Sequence, residues 1–534
     1  MNLFSNLLAQ TSGVSEFQMP EIQWSLIAPF VILSLGAVVL ITITSIAPVL
    51  KGKGFPALFT CLTAVAAFAA TINSWEVIRD GSKYYLVDGA LTHSAFTVVI
   101  TSIICITVLL VAMLFDDYLD VSGFDGPEWY VLLMISAVGG ILMASANELI
   151  LLFVGLEILS IAVYVLAGLH MRRSTSQEAS FKYFVLGALS SAIFLYGIAL
   201  TYGATGSTYL TQISLAGRNS AGLDPTVDSS LILVAMALLL VGFGFKISAV
   251  PFHFWSPDVY EGSPSPVVAF MASGVKVAAF AAMVRVFSIG FGPYILDWRP
   301  LIAGLAVVSL IVGSFLALSQ KNIKRMLAYS SISHVGFMLI AFHGFGNESN
   351  LSAKALLFYL GSYAFLTAGT FGVITLLSVN DSQLNDSEHS LDDYRCMASK
   401  KPVLAVMLAV LLFAQAGIPF TSGFWAKFRV IFAAVENGSY FLAAIAMLAA
   451  VVAAVLYLRI VVSVFMSSKP EDEAVLSEAN QATLDSRRYQ IFGYPFAGLL
   501  AVALCVIATI GLGVYPDFGN EVLDKAATNI EISQ

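Results

Sequence analysis

The sequence predicts an all-α polytopic membrane protein with about 14 transmembrane helices, two inverted five-helix repeats, and discontinuous helices 7 and 12. Three observations lead there. The 534-residue chain is 58% hydrophobic and 11% charged, whereas soluble domains carry roughly 25% charged residues. Its apolar residues fall into runs long enough to cross a bilayer, which takes about 20 residues of helix. Two of these runs far exceed one crossing, and each contains a proline. The net charge of −8 argues against nucleic acid as a partner. The lipid bilayer is the partner that the composition names.

In chain order, spans 25–49, 55–75 and 94–115 form an N-terminal unit within residues 1–128. Residues 1–23 lack Lys and Arg, so they do not resemble a cleaved signal peptide. Spans 129–146, 148–168, 178–203, 230–260 and 264–289 make the first repeat, 129–289. Spans 299–319, 323–344, 352–379, 402–437 and 439–466 make the second, 290–466. A last span, 492–515, and a tail complete residues 467–534. The longest polar stretches, 204–229, 380–401 and 468–490, are loop-sized, so no soluble domain is expected. One set of loops carries 13 Lys and Arg residues and the other carries 6. The basic set, which includes Lys324 and Arg325, is therefore expected in the cytoplasm, with both termini on the outer face.

Spans 7 and 12 run 31 and 36 residues around SAVPFHFW (248–255) and AGIPFTSGFW (416–425). Proline removes a backbone donor and clashes with the preceding turn, so each span should be two half-helices around a break. A simple kink is the bland alternative. The two copies lie five spans apart, an odd number, so they cross the membrane in opposite directions. Inverted repeats whose broken helices face a midplane site are the pattern of secondary transporters.

Glu157, Lys182, Lys246, Lys276 and Lys427 are embedded in these apolar spans. A charge at the bilayer centre costs from about 2.5 to over 10 kcal/mol, and chains keep one mainly where ions or protons move. Lys246 stands five residues before Pro251 and Lys427 eight after Pro419, close to where a break frees carbonyls and admits water. Burial disfavours a lysine's charged form and a nearby carboxylate restores it. A lysine held between those pulls exchanges its proton when its partner moves. Lys182 lies near its helix start, where snorkelling to the interface is the competing reading. His334 either shuttles protons near neutral pH or is a helix contact, and His253 beside Pro251 poses the same choice. Asp258 and Glu261 read as structural residues near a helix end. The four cysteines stand far apart, with no spacing that suggests a metal, haem or iron–sulfur site.

Five segments carry a family resemblance: FKISAVPFHFWSPDVYEGSPSPVVAFMASGVK (245–276), GLEILSIAVYVLAG (155–168), EASFKYFVLGALSSA (178–192), KNIKRMLAYSSISHVGF (321–337) and GIPFTSGFWAKF (417–428). In order and spacing they resemble the subunit N family of proton-pumping NADH–quinone oxidoreductase, respiratory complex I. Subunits of multi-component sodium/proton antiporters belong to the wider group, and PDVYEG (257–262) favours subunit N within it. The resemblance implies that Glu157 pairs with Lys182 and that Lys246 is the proton-accepting centre. It makes Lys276 the connecting residue and Lys427 the residue of a second half-channel. It further implies a non-redox subunit of a bacterial inner-membrane enzyme that binds no cofactor itself. FMN, iron–sulfur clusters and quinone would then belong to partner membrane and peripheral subunits. The longer antiporter-like relative ends in a horizontal helix, which is not expected from the 19 residues after this chain's last span.

Overall fold

The computed structural model describes residues 23–52, 54–79, 81–122, 126–220, 229–347, 349–380, 389–466, 490–491 and 494–530. The segment on which the signal-peptide expectation rests lies outside the described residues, apart from Gln23. Helices α1 (Trp24–Ile46), α2 (Phe55–Ser74) and α3 (Ala95–Ser122) come first. A small antiparallel hairpin, β1 (Tyr84–Leu86) and β2 (Leu91–His93), joins α2 to α3 and pairs Tyr84 with His93. Then follow α4 (Glu128–Ser145), α5 (Leu149–Gly168), α6 (Ser174–Thr205), the short α7 (Leu210–Ser220), α8 (Ser229–Ile247), α9 (Trp255–Gly262) and α10 (Ser265–Gly290). The next group is α11 (Ile295–Ser319), α12 (Ile323–His343), α13 (Leu351–Asn380), α14 (Pro402–Ala416), α15 (Ser422–Glu436) and α16 (Tyr440–Phe465). Helices α17 (Phe496–Val514) and α18 (Asn520–Thr528) end the described chain.

Among the described residues, 13 helices are long and apolar enough to cross a membrane. The count falls one short of the expected 14 for a physical reason. The break in the twelfth expected span divides it into α14 and α15, and neither half is long enough alone. The seventh is likewise divided into α8 and α9, but α8 still qualifies. The tail forms one short helix, α18, anchored by an ion pair between Lys354 and Asp524.

Burial is graded from the outside inward. The most apolar window of α10 is 100% buried and those of α12 and α13 are 89% buried, against 33% for α1. The outer helices turn large apolar side chains such as Leu35, Phe181 and Leu189 outward, as lipid contact requires. Neighbouring helices approach closely at glycines. A Cβ at Gly139 would lie 2.5 Å from the Leu159 nitrogen across α4 and α5. A Cβ at Gly313 would lie 2.5 Å from the Ser333 nitrogen across α11 and α12. Small residues at such crossings let membrane helices pack backbone to backbone.

Two helix starts are tied down alike. Glu148 caps α5 by accepting from the Ile150 and Leu151 amides and forms an isolated bridge to Tyr209. Asn322 caps α12 by accepting from the Lys324 and Arg325 amides and bridges to Ser390. Side-chain acceptors at these positions satisfy amides that the helix itself cannot.

Candidate functional site

Both proline breaks are chain stops with defined backbone geometry. Helix α14 ends at Gly417, whose φ of +95° suits a glycine, and Pro419 follows two residues later. Helix α8 ends one residue earlier relative to its proline, with Ser248 at φ +62° and the Ala249 amide donating back to the Gly244 carbonyl at 2.8 Å. The copies differ in how they treat the carbonyls left over. At the first break, the Trp255 indole donates to the Phe245 carbonyl at 2.9 Å. At the second, Trp425 is committed to the Gly513 carbonyl on α17, also at 2.9 Å. The carbonyls of Gln415 and Ala416 then receive the Lys427 ammonium at 2.7 and 3.1 Å. A cation at a helix C-terminus is favoured by the dipole and by the unpaired oxygens there.

Lys246 points away from its own break. It is 2% exposed and donates to the Tyr164 hydroxyl on α5 at 3.0 Å. Its ammonium also lies 4.9 Å from the Tyr164 ring centre and 5.6 Å from that of Tyr183, within cation–π range. Tyr183 is in turn stacked on Trp255 at 4.3 Å, so the aromatic cage is built from α5, α6 and the break itself. Gly187 on α6 leaves the space that the Tyr164 phenol fills. Glu157 lies seven residues before Tyr164 on α5, hence on the same face. Its Oε1 is buried without a hydrogen-bond partner.

Lys276 follows a π-helical turn, Met271–Val275, within α10. Such turns often mark functional sites. Its ammonium donates to the Ser331 hydroxyl at 2.7 Å, and that hydroxyl donates to the Ala328 carbonyl at 2.8 Å. One residue away in sequence, Ser330 is bonded to the Tyr457 hydroxyl. Tyr457 lies 2.9 Å from His334 Nε2, and Tyr359 lies 2.7 Å from His334 Nδ1. Between the Lys276 and Lys427 neighbourhoods sits a cavity of about 10 Å³, lined by Ser330, Ser331, Tyr363, Thr367, Thr370 and Gln415 among others. That is about the space one water requires. Gln415 also donates to Thr370 at 2.7 Å.

Lys182 lies apart from this row and is 43% exposed. Its partners are Glu178 at 2.8 Å, one turn earlier on α6, and Asp258 at 3.0 Å on α9. Arg325 bonds the other Asp258 oxygen at 2.7 Å and Glu261 at 2.7 Å. Asn322 donates to Glu261 at 3.1 Å, and Lys324 donates to the Ser263 carbonyl at 2.7 Å. Among the described residues, no group of three His, Cys, Asp or Glu is placed to hold a metal ion.

Residues 146–453 match the family model described as NADH:quinone oxidoreductase/Mrp antiporter, TM. The NADH-quinone oxidoreductase subunit N of Trichlorobacter lovleyi is 38% identical over 452 residues, 85% of this chain and 89% of that protein. This chain belongs to the subunit N family. Among solved structures, respiratory complex I from Thermus thermophilus with bound aureothin contains a chain 31% identical to this one. The match has a TM-score of 0.72 and covers 93% of this chain and 99% of that one. The Mrp complex from Dietzia sp. superposes with a TM-score of 0.77, covering 93% and 97% of the two chains. At 21% identity it shares the fold alone.

For this member of the subunit N family, the geometry sorts the expected residues into two groups. Lys276, His334 and Lys427 come together around hydroxyls and one small cavity, and Lys246 sits in its own aromatic cage. The expected Glu157–Lys182 pair is not formed. Lys182 turns back toward its helix start and bonds to Glu178 and Asp258. Asp258 and Glu261 lie on helix α9, inside an ion-pair network. Arg325, counted only as a topology-setting cation in the sequence, closes that network. Two acids one turn apart in PDVYEG were the available signal, since positions i and i+3 share a helix face. Nothing in the sequence pointed to Tyr164, Ser331 or Gln415.

Proposed function

We propose that this chain is the antiporter-like, proton-translocating membrane subunit of an NADH:quinone oxidoreductase. Electron transfer takes place in partner subunits, which hold the FMN, iron–sulfur clusters and quinone site, and this chain moves protons through its buried Glu and Lys residues. The observation that carries this reading is the state of the three buried lysines. Lys246, Lys276 and Lys427 are bonded to hydroxyl or carbonyl oxygens. None of them is in a salt bridge among the described residues, so each can exchange a proton without an ion pair breaking. Buried ionisable groups of this kind in a membrane interior mark ion or proton pathways.

The residues between them suit proton passage. Ser331 links Lys276 to the water-sized cavity, and Gln415 links that cavity to the carbonyl end where Lys427 is held. Hydroxyls both donate and accept, and a neutral histidine ring does the same through its two nitrogens. The Ser330–Tyr457–His334–Tyr359 series therefore offers a side branch from the same cavity. The network of Lys182, Asp258, Arg325 and Glu261 joins α6 and α9 to α12. We assign it the coupling role. Lys182 exchanges between Asp258 and the unpartnered Glu157, and each exchange changes the field at Lys246.

The inverted repeat is part of the proposal. Its support is the matched construction at Glu148 and Asn322, each an N-cap and a bridge partner, with close glycine crossings at Gly139 and Gly313. From the excess of Lys and Arg in one set of loops, we infer that both termini face the outer side of a bacterial inner membrane. A cation/proton exchanger without redox chemistry is the second reading, favoured by the shared fold of the Mrp chain and by a family model that spans both groups. Co-purification tests the choice. Gentle extraction of the tagged chain should recover a large assembly with inhibitor-sensitive NADH:quinone activity. Recovery with small membrane partners alone, and sodium-dependent transport without NADH, would establish the exchanger instead.

A further inference from the structure

Apart from the lysine row, a second set of cations gathers around a different cavity. Its volume is about 310 Å³, and it lies between the β1–β2 hairpin, the start of α5, helix α7, the C-terminal end of α10 and Asn529. Lys83, Arg218 and Arg285 line it, and no described residue in its wall is a carboxylate. Arg285 is 2% exposed. Its guanidinium donates to the Ala146 carbonyl at 2.8 Å and to the Thr92 hydroxyl, both uncharged. Burying a cation without an opposite charge is expensive. Lys83 stands close enough to feel it. Although its side chain is exposed by area, desolvation and the Arg285 charge push its pKa below the usual lysine value.

A separate observation points to a missing partner. Ser288, three residues after Arg285 and on the same side of α10, lines the cavity. It is 1% exposed, and its hydroxyl has no hydrogen-bond partner. Such an orphan costs about 1–3 kcal/mol unless something accepts from it. Asn529, also in the wall, is held firm: its side chain accepts from the Ala95 amide at 2.8 Å and donates to the Gly81 carbonyl at 3.2 Å. The cavity therefore has crowded positive charge, an unused donor and a braced wall.

We propose that this cavity binds a phosphate-type oxyanion, with Lys83 and Arg285 supplying charge and Ser288 a hydrogen bond. Oxyanions accept several such donors at once, and charge-assisted bonds of this kind are the strong ones. The volume is near the lower end of small-ligand pockets, roughly 300 Å³, and exceeds what a bare phosphate needs. Leu215, 59% exposed beside the cations, supplies apolar surface of the kind an attached acyl chain would need. The same phosphate chemistry is offered by an anionic phospholipid headgroup or by free phosphate. The proposal stands apart from the proton path, and neither depends on the other.

The test uses the whole complex, purified and delipidated, with wild-type chain, Lys83→Gln or Ser288→Ala. Binding of inorganic phosphate is followed by phosphorus NMR, and phosphatidylglycerol retained from mixed phosphatidylcholine nanodiscs by native mass spectrometry. Each variant should weaken binding about ten-fold, the worth of one hydrogen bond to a charged group. Ser288→Ala removes a hydroxyl that bonds to nothing in the protein, so it should leave the fold intact. Retained phosphatidylglycerol that inorganic phosphate does not displace would assign the site to a lipid headgroup. Displacement by inorganic phosphate would assign it to the free anion. Failure of both probes to bind, or binding equally strong in wild type and both variants, overturns the proposal.

Discussion

Replacing Lys246 with methionine separates the functional from the structural worth of that side chain. Methionine keeps most of the volume, so packing changes are small. What is lost is the 3.0 Å bond to the Tyr164 hydroxyl and the cation–π contacts at 4.9 and 5.6 Å. A hydrogen bond to a charged group contributes about 1.5–3 kcal/mol. A desolvated cation–π contact adds roughly 2 kcal/mol. Against this, returning an ammonium to water recovers several kcal/mol of desolvation. The two sides nearly cancel, so stability should change by less than about 2 kcal/mol. Proton movement should not survive, because driving one proton against 100 mV takes about 2.3 kcal/mol, supplied through a group that can change charge. The assay reconstitutes the complex in liposomes and compares protons moved with NADH oxidised, alongside a thermal unfolding curve. An unchanged proton-to-electron ratio in Lys246→Met would refute the reasoning. A stability loss above about 4 kcal/mol would instead make the lysine structural.

Three further outcomes are expected. His334→Phe strips partners from the Tyr359 and Tyr457 hydroxyls and should lower stability by about 2 kcal/mol as well as proton transfer, while His334→Gln recovers part of both. Equal losses of transfer in the two variants would remove His334 from the path. Arg325→Gln should slow proton translocation several-fold yet move the melting point little, because its partly exposed ion pairs are each worth about 1 kcal/mol or less. A double-mutant cycle with Asp258→Asn checks that the two act through each other. Burial pushes His93, on the hairpin, down from 6.5 to about 4. Its ring is neutral in the fold, so the unfolded chain binds more protons once the pH falls below 6.5. The His93 contribution should thus be complete above pH 6.5 and decline toward pH 4, by on the order of 3 kcal/mol in all. Melting curves of His93→Gln across that range should lack this slope.

The sequence revealed the features that a bilayer enforces. Apolar runs gave the spans, prolines gave both breaks, and charged residues inside apolar runs marked Lys246, Lys276 and Lys427, because each of these is costly in lipid wherever the rest of the chain lies. Partners were a different matter. Lys246 meets Tyr164 from 82 residues away and Lys276 meets Ser331 from 55 away. Tyrosine and serine are common in membrane helices and carry no charge to betray them. The partners of Lys182 were hidden for a related reason. Its family pairing is one of two options open to a flexible four-carbon stem, and local geometry in this conformation favours Glu178 and Asp258. Arg325 fitted the topology rule so well that its second role was invisible.

The last two carbonyls of α14, those of Gln415 and Ala416, are held by the Lys427 ammonium. An ammonium offers three donors and a full charge, and the neutral amine offers two donors and none. Loss of the proton therefore loosens Gln415 and Ala416, and Gln415 also forms part of the wall of the water-sized cavity. If Lys427 carries protons as proposed, this helix end acts as a latch that follows its protonation. On the proposed proton path, its position would set the room for a water in that cavity, so that a chemical event at one atom would become a change in shape.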